Sequence, residues 1–545
     1  ASVAVPLRRV RVSASRAGHG VWLLEAGAGD ATLEARHFRT ETNALDGARV
    51  DESDDGDAAA TCTNCLFDNN ERWGARVFEA DGGAARATLG GVTARHNSAG
   101  GIDVREAEAG DARVALAKCV LAHNGGTNVD VLEQGDGDLA VTLTRTLSAG
   151  SERAYGVDVD EYGAGSADVT LANCDVRGNA WHGVNADEAD VGDLRLALHD
   201  SVVSHNGGAP LSSPFDGVDA DETGAGDLVV AVSNVRAEHN ANNGIDVDED
   251  EAVAADGTTG GDLLLSVRKL TVRGGAIALS AQEYGVGDLR ADVASVLAEA
   301  VAVGMRIVEA AGGNVHARLK DAHVADAGVT CVGVAEAGAG DAEVIVEDSS
   351  AVRCGALGSN ATLDVGFGVR EEDAGSLTAT FVDVTAQANK QAGVRAFEFG
   401  AGDLALDVRS ATLDKNGAQG LHAVERHAGT LTLTAANTKA NGNAAAHGFA
   451  LVESDDGDLE AQFDGVRANG NGEHGIAALE SDDGDVRVAF RHAHSSAARA
   501  NGGVALRVSE SDDGTPYVNG VCNLHAEESG NAGGDIWIQD AFLTN

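Results

Sequence analysis

Residues 161–187 read EYGAGSADVTLANCDVRGNAWHGVNAD, and at Glu188 the pattern starts again. Counted from Glu161, apolar residues fall at positions 6, 8 and 10 (Ala167, Val169, Leu171). A small residue follows at position 13 (Cys174) and an asparagine at 18 (Asn179). Gly183 lies five residues before the next glutamate, with Val184 and Ala186 four and two before it. Alternation with period two marks a half-buried strand, so one unit offers three short strands and three corners.

The same unit recurs on Glu25, Glu52, Glu79, Glu106, Glu133, Glu161, Glu188, Glu222, Glu249, Glu283, Glu309, Glu336, Glu371, Glu398, Glu425, Glu453, Glu480 and Glu510, which makes 18 copies. Ten of the 17 gaps are 27 residues and three more are 26 or 28. Glycine stands four residues after 17 of these glutamates; after Glu249 an insertion moves it to Gly261. A period this strict means a solenoid, in which each unit buries its apolar residues only against its neighbours. Position 18 is asparagine in 11 units, from Asn43 to Asn471. Asparagine tolerates left-handed backbone, and stacked copies predict an amide ladder. The corner glycines, such as Gly101, Gly183, Gly244 and Gly475, are predicted to take positive φ. Only four prolines interrupt the chain, as strands throughout require.

Three strands per unit, an asparagine corner and no helical period resemble the pectin-lyase-like superfamily of parallel β-helices, above all its repeat-rich bacterial surface proteins. The resemblance covers nearly all of residues 20–525 and concerns architecture; the family's enzymatic motifs are not part of it. The expected fold is all-β: a right-handed parallel β-helix solenoid of about 18 coils, roughly 27 residues per coil, with three short strands in each. It is read as a single solenoid over 1–545: a first incomplete coil at 1–24, regular repeats over 25–515, and a last coil with a cap or docking segment at 516–545. At an interstrand distance of ~4.8 Å, 18 coils would extend over about 85 Å.

The formal charge is −47. Nucleic acid is excluded as a partner, because phosphate contact needs a positive face. Such a surface suits a secreted, salt-exposed or cation-binding protein, and the expected location is extracellular or at the cell surface. No run of 18 apolar residues exists, so no helical membrane span is expected. The chain opens in strand-like sequence, Ser2-Val3-Ala4-Val5, without an initiator methionine or signal peptide; a processed secreted chain or a fragment is the simplest account. Of seven cysteines, Cys65, Cys119 and Cys174 occupy position 13, two coils apart. That is ~9.6 Å by strand spacing, beyond the ~7 Å reach of a disulfide, so they read as small buried hydrophobes. Cys62 and Cys65 form a C-x-x-C pair with no second pair nearby, which is a weak zinc signal.

The recurring glutamate shares parity with the inward residues, and stacked carboxylates ~4.8 Å apart cannot all stay charged and unpaired. Two readings stand. Each carboxylate accepts backbone N–H groups of the turn that follows it, or some turns hold a cation, Ca2+ being the candidate. Acidic residues thicken at Glu52, Asp54, Asp55 and Asp57, at Glu453, Asp455, Asp456 and Asp458, and at Glu480, Asp482, Asp483 and Asp485. These are the candidate metal ligands; no cofactor is required. Asp158, Asp160, Asp187, Asp219, Asp221, Asp246 and Asp248 form a second, outward acidic strip. It is either a solvated face or a cation-bridged surface that meets another rod, a glycan or a mineral.

Inverting glycosidases hold two carboxylates ~6.5–9.5 Å apart, a spacing that dozens of pairs here would meet. The His-Gly steps at His182-Gly183, His447-Gly448 and His474-Gly475 are the repeated corner, without the aspartate and arginine-lysine motifs that accompany such a step in polygalacturonases. Four histidines precede ladder asparagines, His96, His123, His205 and His239, and are expected to stack in two pairs. Insertions between Asn206 and Gly217, Asp250 and Gly260, and Cys354 and Gly366 are expected as side loops, and these loops, beside the 219–248 acidic strip, are the expected place of any specific partner site. The expected function is a secreted, non-enzymatic structural or adhesive rod. Cations would stabilise it, and it would associate with itself, end to end or laterally, or with a cell-surface or glycan partner. The rival is a polysaccharide lyase or glycoside hydrolase on the same coil.

Overall fold

The computed structural model describes residues 2–208, 214–250, 260–355, 364–491, 496–498, 500–511, 516–519, 524–525, 531, 536–538 and 542–544. Residues 209–213, 251–259 and 356–363 of the three insertions, and the acidic pair at 512–513, lie outside these residues. Among the described residues there are strands, turns and no helix. The chain forms a parallel β-solenoid of about 18 turns, in two compact units, Ala1–Ser280 and Ala281–Asn545.

One coil shows how the sequence builds the rest. Leu139–Thr144, Leu147–Ala149 and Val157–Gly163 are its strands. The first alternates strictly between buried and outward residues, as the period-two pattern predicts. It pairs in parallel with Ala112–Ala117 before it and Ala167–Ala172 after it, without any slip of register. The first two strands of each coil run in one sheet and the third in a second sheet. Registration at a whole repeat stacks like on like. Leu143, Leu171, Leu198 and Val232 sit one above another, none more than 1 % exposed. Burying each such side chain contributes ~1.5–3 kcal/mol, so the narrow core gains its stability by repetition. In the second unit Phe463 stacks on Phe490 of the next coil and meets Phe449 edge-on, each with ring centroids 5.5 Å apart.

The asparagine corner forms the expected ladder. Asn43 Nδ2 donates to Asn70 Oδ1 (2.8 Å), Asn70 to Asn97 (2.8 Å) and Asn97 to Asn124 (3.1 Å). A second run joins Asn389, Asn416, Asn443, Asn471, Asn501 and Asn531. Where Ser151 replaces the asparagine, Asn128 reaches in from the neighbouring corner. It accepts from Asn124 Nδ2 (2.7 Å) and donates to Asn179 Oδ1 (3.1 Å), so the line of amides is unbroken. The histidine pairs also stack: His96 with His123 at 5.9 Å and His205 with His239 at 5.1 Å.

Three sequence expectations are corrected. The left-handed residue at this corner is the one before each asparagine: His96 (φ 54°), His123 (φ 54°), His205 (φ 57°) and His239 (φ 56°) take that conformation, and the asparagines do not. The corner glycines have no positive φ either. They are needed for close approach: a Cβ on Gly183 would stand 2.5 Å from the carbonyl oxygen of Gly217 and 2.6 Å from Asn206 Nδ2. Third, Cys62 and Cys65 are joined by a disulfide, and so are Cys331 and Cys354. The argument from coil spacing considered bridges two coils apart. The Cys62–Cys65 bridge spans one corner within a coil, and the Cys331–Cys354 bridge joins neighbouring places on adjacent coils, with Cα atoms 6.1 and 5.6 Å apart respectively. Cys119 and Cys174 are the free, buried thiols expected.

Candidate functional site

From Glu52 onward the glutamates are buried at the end of the third strand, Glu25 being half-buried, and they lie opposite one another in register, as in Glu133, Glu161, Glu188 and Glu222. Two kinds of turn follow them. In the first, the carboxylate accepts the amide two residues on: Gly27 to Glu25 (2.8 Å), Asp54 to Glu52 (3.1 Å), Asp81 to Glu79 (3.0 Å) and Gly338 to Glu336 (2.6 Å). In the second, the residue at that place takes positive φ, as Gly135, Gly163, Asp190, His427 and Asp455 do. Its N–H is then turned away. The carboxyl oxygens of Glu133, Glu161, Glu188, Glu425 and Glu453 receive no amide donor, and each group lies in register with the glutamate of the next coil. Burial, and then the neighbouring carboxyls, push Glu133 and Glu425 up to about 10 and Glu188 to about 8. Burial pushes Glu453 up to about 7. Glu133, Glu188 and Glu425 therefore keep protons at neutral pH, and Glu453 sits close to half-protonated.

The acidic turns divide into different roles. Glu52 anchors the amides of Asp54 and Gly56, while Asp54 and Asp55 are exposed at the tip. Asp57 accepts the Ala84 amide of the next coil (3.0 Å) and pairs with Arg86. Asp458 likewise accepts from the Asp485 amide (2.9 Å) and, with Asp485, pairs with Arg487. Asp455 pairs with His427 (3.2 Å), Asp456, Asp482 and Asp483 are exposed, and Glu480 is buried. The aspartate after each turn glycine is therefore a rung that ties one turn to the next. The sequence reading had grouped it with candidate ligands. The signal was available in its recurrence at one fixed position.

The acidic strip is a face built on the second sheet of the first unit. Asp130, Asp158, Asn185, Asp219 and Asp246 form one column, and Asp160, Asp187, Asp221 and Asp248 the next. The aspartates are half-buried and point outward between inward residues, while Asn185 in their midst is buried. The earlier coils carry arginine in the same two columns. Arg49 pairs with Asp51 (2.7 Å), Arg76 with Asp103 (2.9 Å), and Arg105 with Asp103 (2.8 Å) and Asp130 (3.4 Å). From Asp158 to Asp248 neither column contains a basic residue. Burial, reinforced by neighbouring aspartates, lifts Asp158 to about 9, Asp219 to about 10 and Asp221 to about 8. The Oδ1 atoms of Asp187 and Asp221 are buried with no hydrogen-bond partner.

At one edge of this face stand residues that sequence reasoning took for a plain corner. His182 Nδ1 lies 3.4 Å from Asp216 Oδ2 and 3.2 Å from Asp219 Oδ2. Asp216 is also held by the Asn243 amide, which donates to its Oδ1 (2.6 Å). Tyr155, Trp181 and Phe215 wall the corner: Trp181 stacks on Phe215 at 5.5 Å, and Tyr155 lies 5.7 Å from the His182 ring. Among the described residues, His182, Asp216 and Asp219 are the one group of three whose ligand atoms converge within 4.8 Å. The 34-residue step from Glu188 to Glu222 hid this, because the insertion breaks the count that aligns His182 with Asp216. Comparison with known proteins finds no matching family model, no matching curated protein and no matching solved structure.

Proposed function

We propose that the chain is a non-enzymatic structural or adhesive β-helix of the cell exterior, of the pectin-lyase-like kind. Its acidic face is neutralised by divalent cations, Ca2+ first among them. Through that face it meets a glycan, a surface or a second copy. One observation carries the reading: two columns that hold arginine in the early coils hold seven aspartates and one asparagine from Asp158 to Asp248. Seven half-buried carboxylates then need positive charge from solution, or they must keep protons. Hard, oxygen-rich surroundings of this kind suit Ca2+. The test is Ca2+ titration by calorimetry, with thermal melting in Ca2+ and in EDTA. A cation at 100 times its Kd stabilises the folded state by about 2.7 kcal/mol, so the melting temperature rises with Ca2+. Replacing Asp160, Asp187 and Asp221 together by asparagine removes most of that rise. A melting temperature indifferent to Ca2+ in the parent chain overturns the reading.

A glycan-cleaving enzyme is the second reading. Asp158 and Asp219 favour it, since burial keeps each protonated near neutrality, as a general acid requires, and Phe215 packs edge-on against His182, which contacts Asp219. Incubation with acidic polysaccharides separates the two. New reducing ends or unsaturated sugars, lost in Asp219→Asn, support the enzyme; their absence supports the scaffold.

A further inference from the structure

The corner at His182 has a counterpart inside the same unit. His19, Asp46 and Arg49 occupy the same three places, far from any insertion: six before Glu25, six before Glu52 and three before Glu52. His182, Asp216 and Asp219 stand six before Glu188, six before Glu222 and three before Glu222. In the first corner His19 Nδ1 accepts the Asp46 amide (3.2 Å), and Asp46 Oδ2 lies 3.1 Å from that nitrogen. Arg49 brings the positive charge, with Nη1 3.9 Å from Asp46 Oδ2. In the second corner His182 Nδ1 accepts the Asp216 amide in the same way (3.1 Å). The place of the arginine is taken by Asp219, whose Oδ2 turns onto the same imidazole nitrogen. Three lone-pair atoms thus converge where the first corner has two and a guanidinium. Asp216 is 4 % exposed and His182 9 %.

We propose that His182, Asp216 and Asp219 bind a divalent transition metal of the Zn2+ or Co2+ class, which takes the place that Arg49 fills in the first corner. The proposal rests on the reading of this face as one that takes cations, and gives this edge a chemistry distinct from the rest. Ligands bound at ~2.1 Å in a tetrahedron stand about 3.4 Å apart, and the nitrogen-to-oxygen separations here are 3.2 and 3.4 Å. Two carboxylates and one neutral imidazole balance a 2+ ion, as one carboxylate and one guanidinium balance in the first corner. The nitrogen ligand selects a borderline metal over Ca2+, which prefers oxygen alone. On binding, the metal takes the Nδ1 lone pair from the Asp216 amide. Asn243, whose amide holds the other oxygen of Asp216, keeps that carboxylate aimed. Three protein ligands leave a fourth position open.

The test uses Co2+ with the full chain, read by visible absorption and by calorimetry. His182→Asn keeps a side-chain acceptor for the Asp216 amide, since Asn243 at the same place accepts the Ile277 amide (3.1 Å). Asp219→Arg copies the residue of the first corner. The parent chain is expected to bind one Co2+ tightly, with intense nitrogen-and-oxygen ligand bands that Zn2+ displaces. His182→Asn should weaken that binding at least tenfold, and Asp219→Arg should abolish it, with far-UV circular dichroism unchanged in both. Weak, pale Co2+ binding that neither variant alters means ions held by exposed aspartates only, and overturns the proposal. So does a parent chain that binds none. Loss of the Ca2+ effect in the aspartate-to-asparagine triple variant leaves His182, Asp216 and Asp219 untouched, so the two readings fail separately.

Discussion

At the scale of single residues, this molecule runs on buried polar groups that repeat. Asn97 shows why the asparagine was legible as a rung and why its conformation was not. Its Oδ1 accepts the Asn70 amide (3.1 Å) and the Asn70 side chain (2.8 Å), while its Nδ2 donates to Asn124 and to the Phe67 carbonyl (3.1 Å). Recurrence at one position revealed the stacking. The left-handed turn falls on the residue before it, where the identity varies from histidine to threonine to alanine and leaves no signal. Replacing Asn97 by alanine strips partners from several buried donors at once. The expected cost is about 2–3 kcal/mol, measured as a lowered urea midpoint at unchanged slope. His96, exposed beside it, should tolerate asparagine at little cost, because asparagine adopts the same left-handed backbone.

At the scale of one coil, the same corner is closed in two ways. Elsewhere a glycine meets a ladder asparagine; at Cys331 and Cys354 a disulfide joins the same two places. The Cys354 amide still donates to Asn389 Oδ1 (3.0 Å), so the ladder continues past the bridge. Losing a bridge ordinarily costs ~2–5 kcal/mol. The double change Cys331→Gly with Cys354→Asn restores the common corner and should cost under about 1.5 kcal/mol, whereas Cys354→Ala alone should cost more. Denaturation with and without reductant distinguishes them: the double variant should lose the sensitivity of this coil to reductant. The strands of each coil were readable because a period of two has one buried face. The bridges were not, because cysteine also serves as a small core residue, as Cys119 and Cys174 do. The His182 corner was hidden for a related reason. Its ligands come from two coils separated by an insertion, and alignment by count fails there.

At the scale of the whole molecule, the buried carboxyls set how stability follows pH. Glu79, Glu133, Glu188, Glu336, Glu398 and Glu425 bind protons more tightly folded than unfolded, with folded values from about 7 to about 10 against an ordinary 4.5. Their contribution is therefore fully present below about pH 4.5 and is lost as pH rises through 7 to 10. Surface carboxylates such as Asp68, Asp288 and Glu347 are held low by their arginine and asparagine partners, and their contribution goes the other way, disappearing as pH falls through their lowered values. The melting temperature should peak near pH 5 and fall toward pH 9. Glu161→Gln, at a place where no amide reaches the carboxyl, should flatten that fall; a melting temperature that climbs from pH 5 to 9 would contradict the protonated column. The repeat itself was plain in the sequence, whereas the proton count was not, since it depends on which turns swing an amide away.

Because the described strands within each unit pair in register, each unit behaves like a ruler graduated in whole repeats. Excising one complete 27-residue segment hands each remaining side chain to an equivalent neighbour, while removing a single residue turns the strand that holds it inside out. Length in such a molecule is thus free to drift in evolution by whole graduations, and by nothing smaller outside the loops.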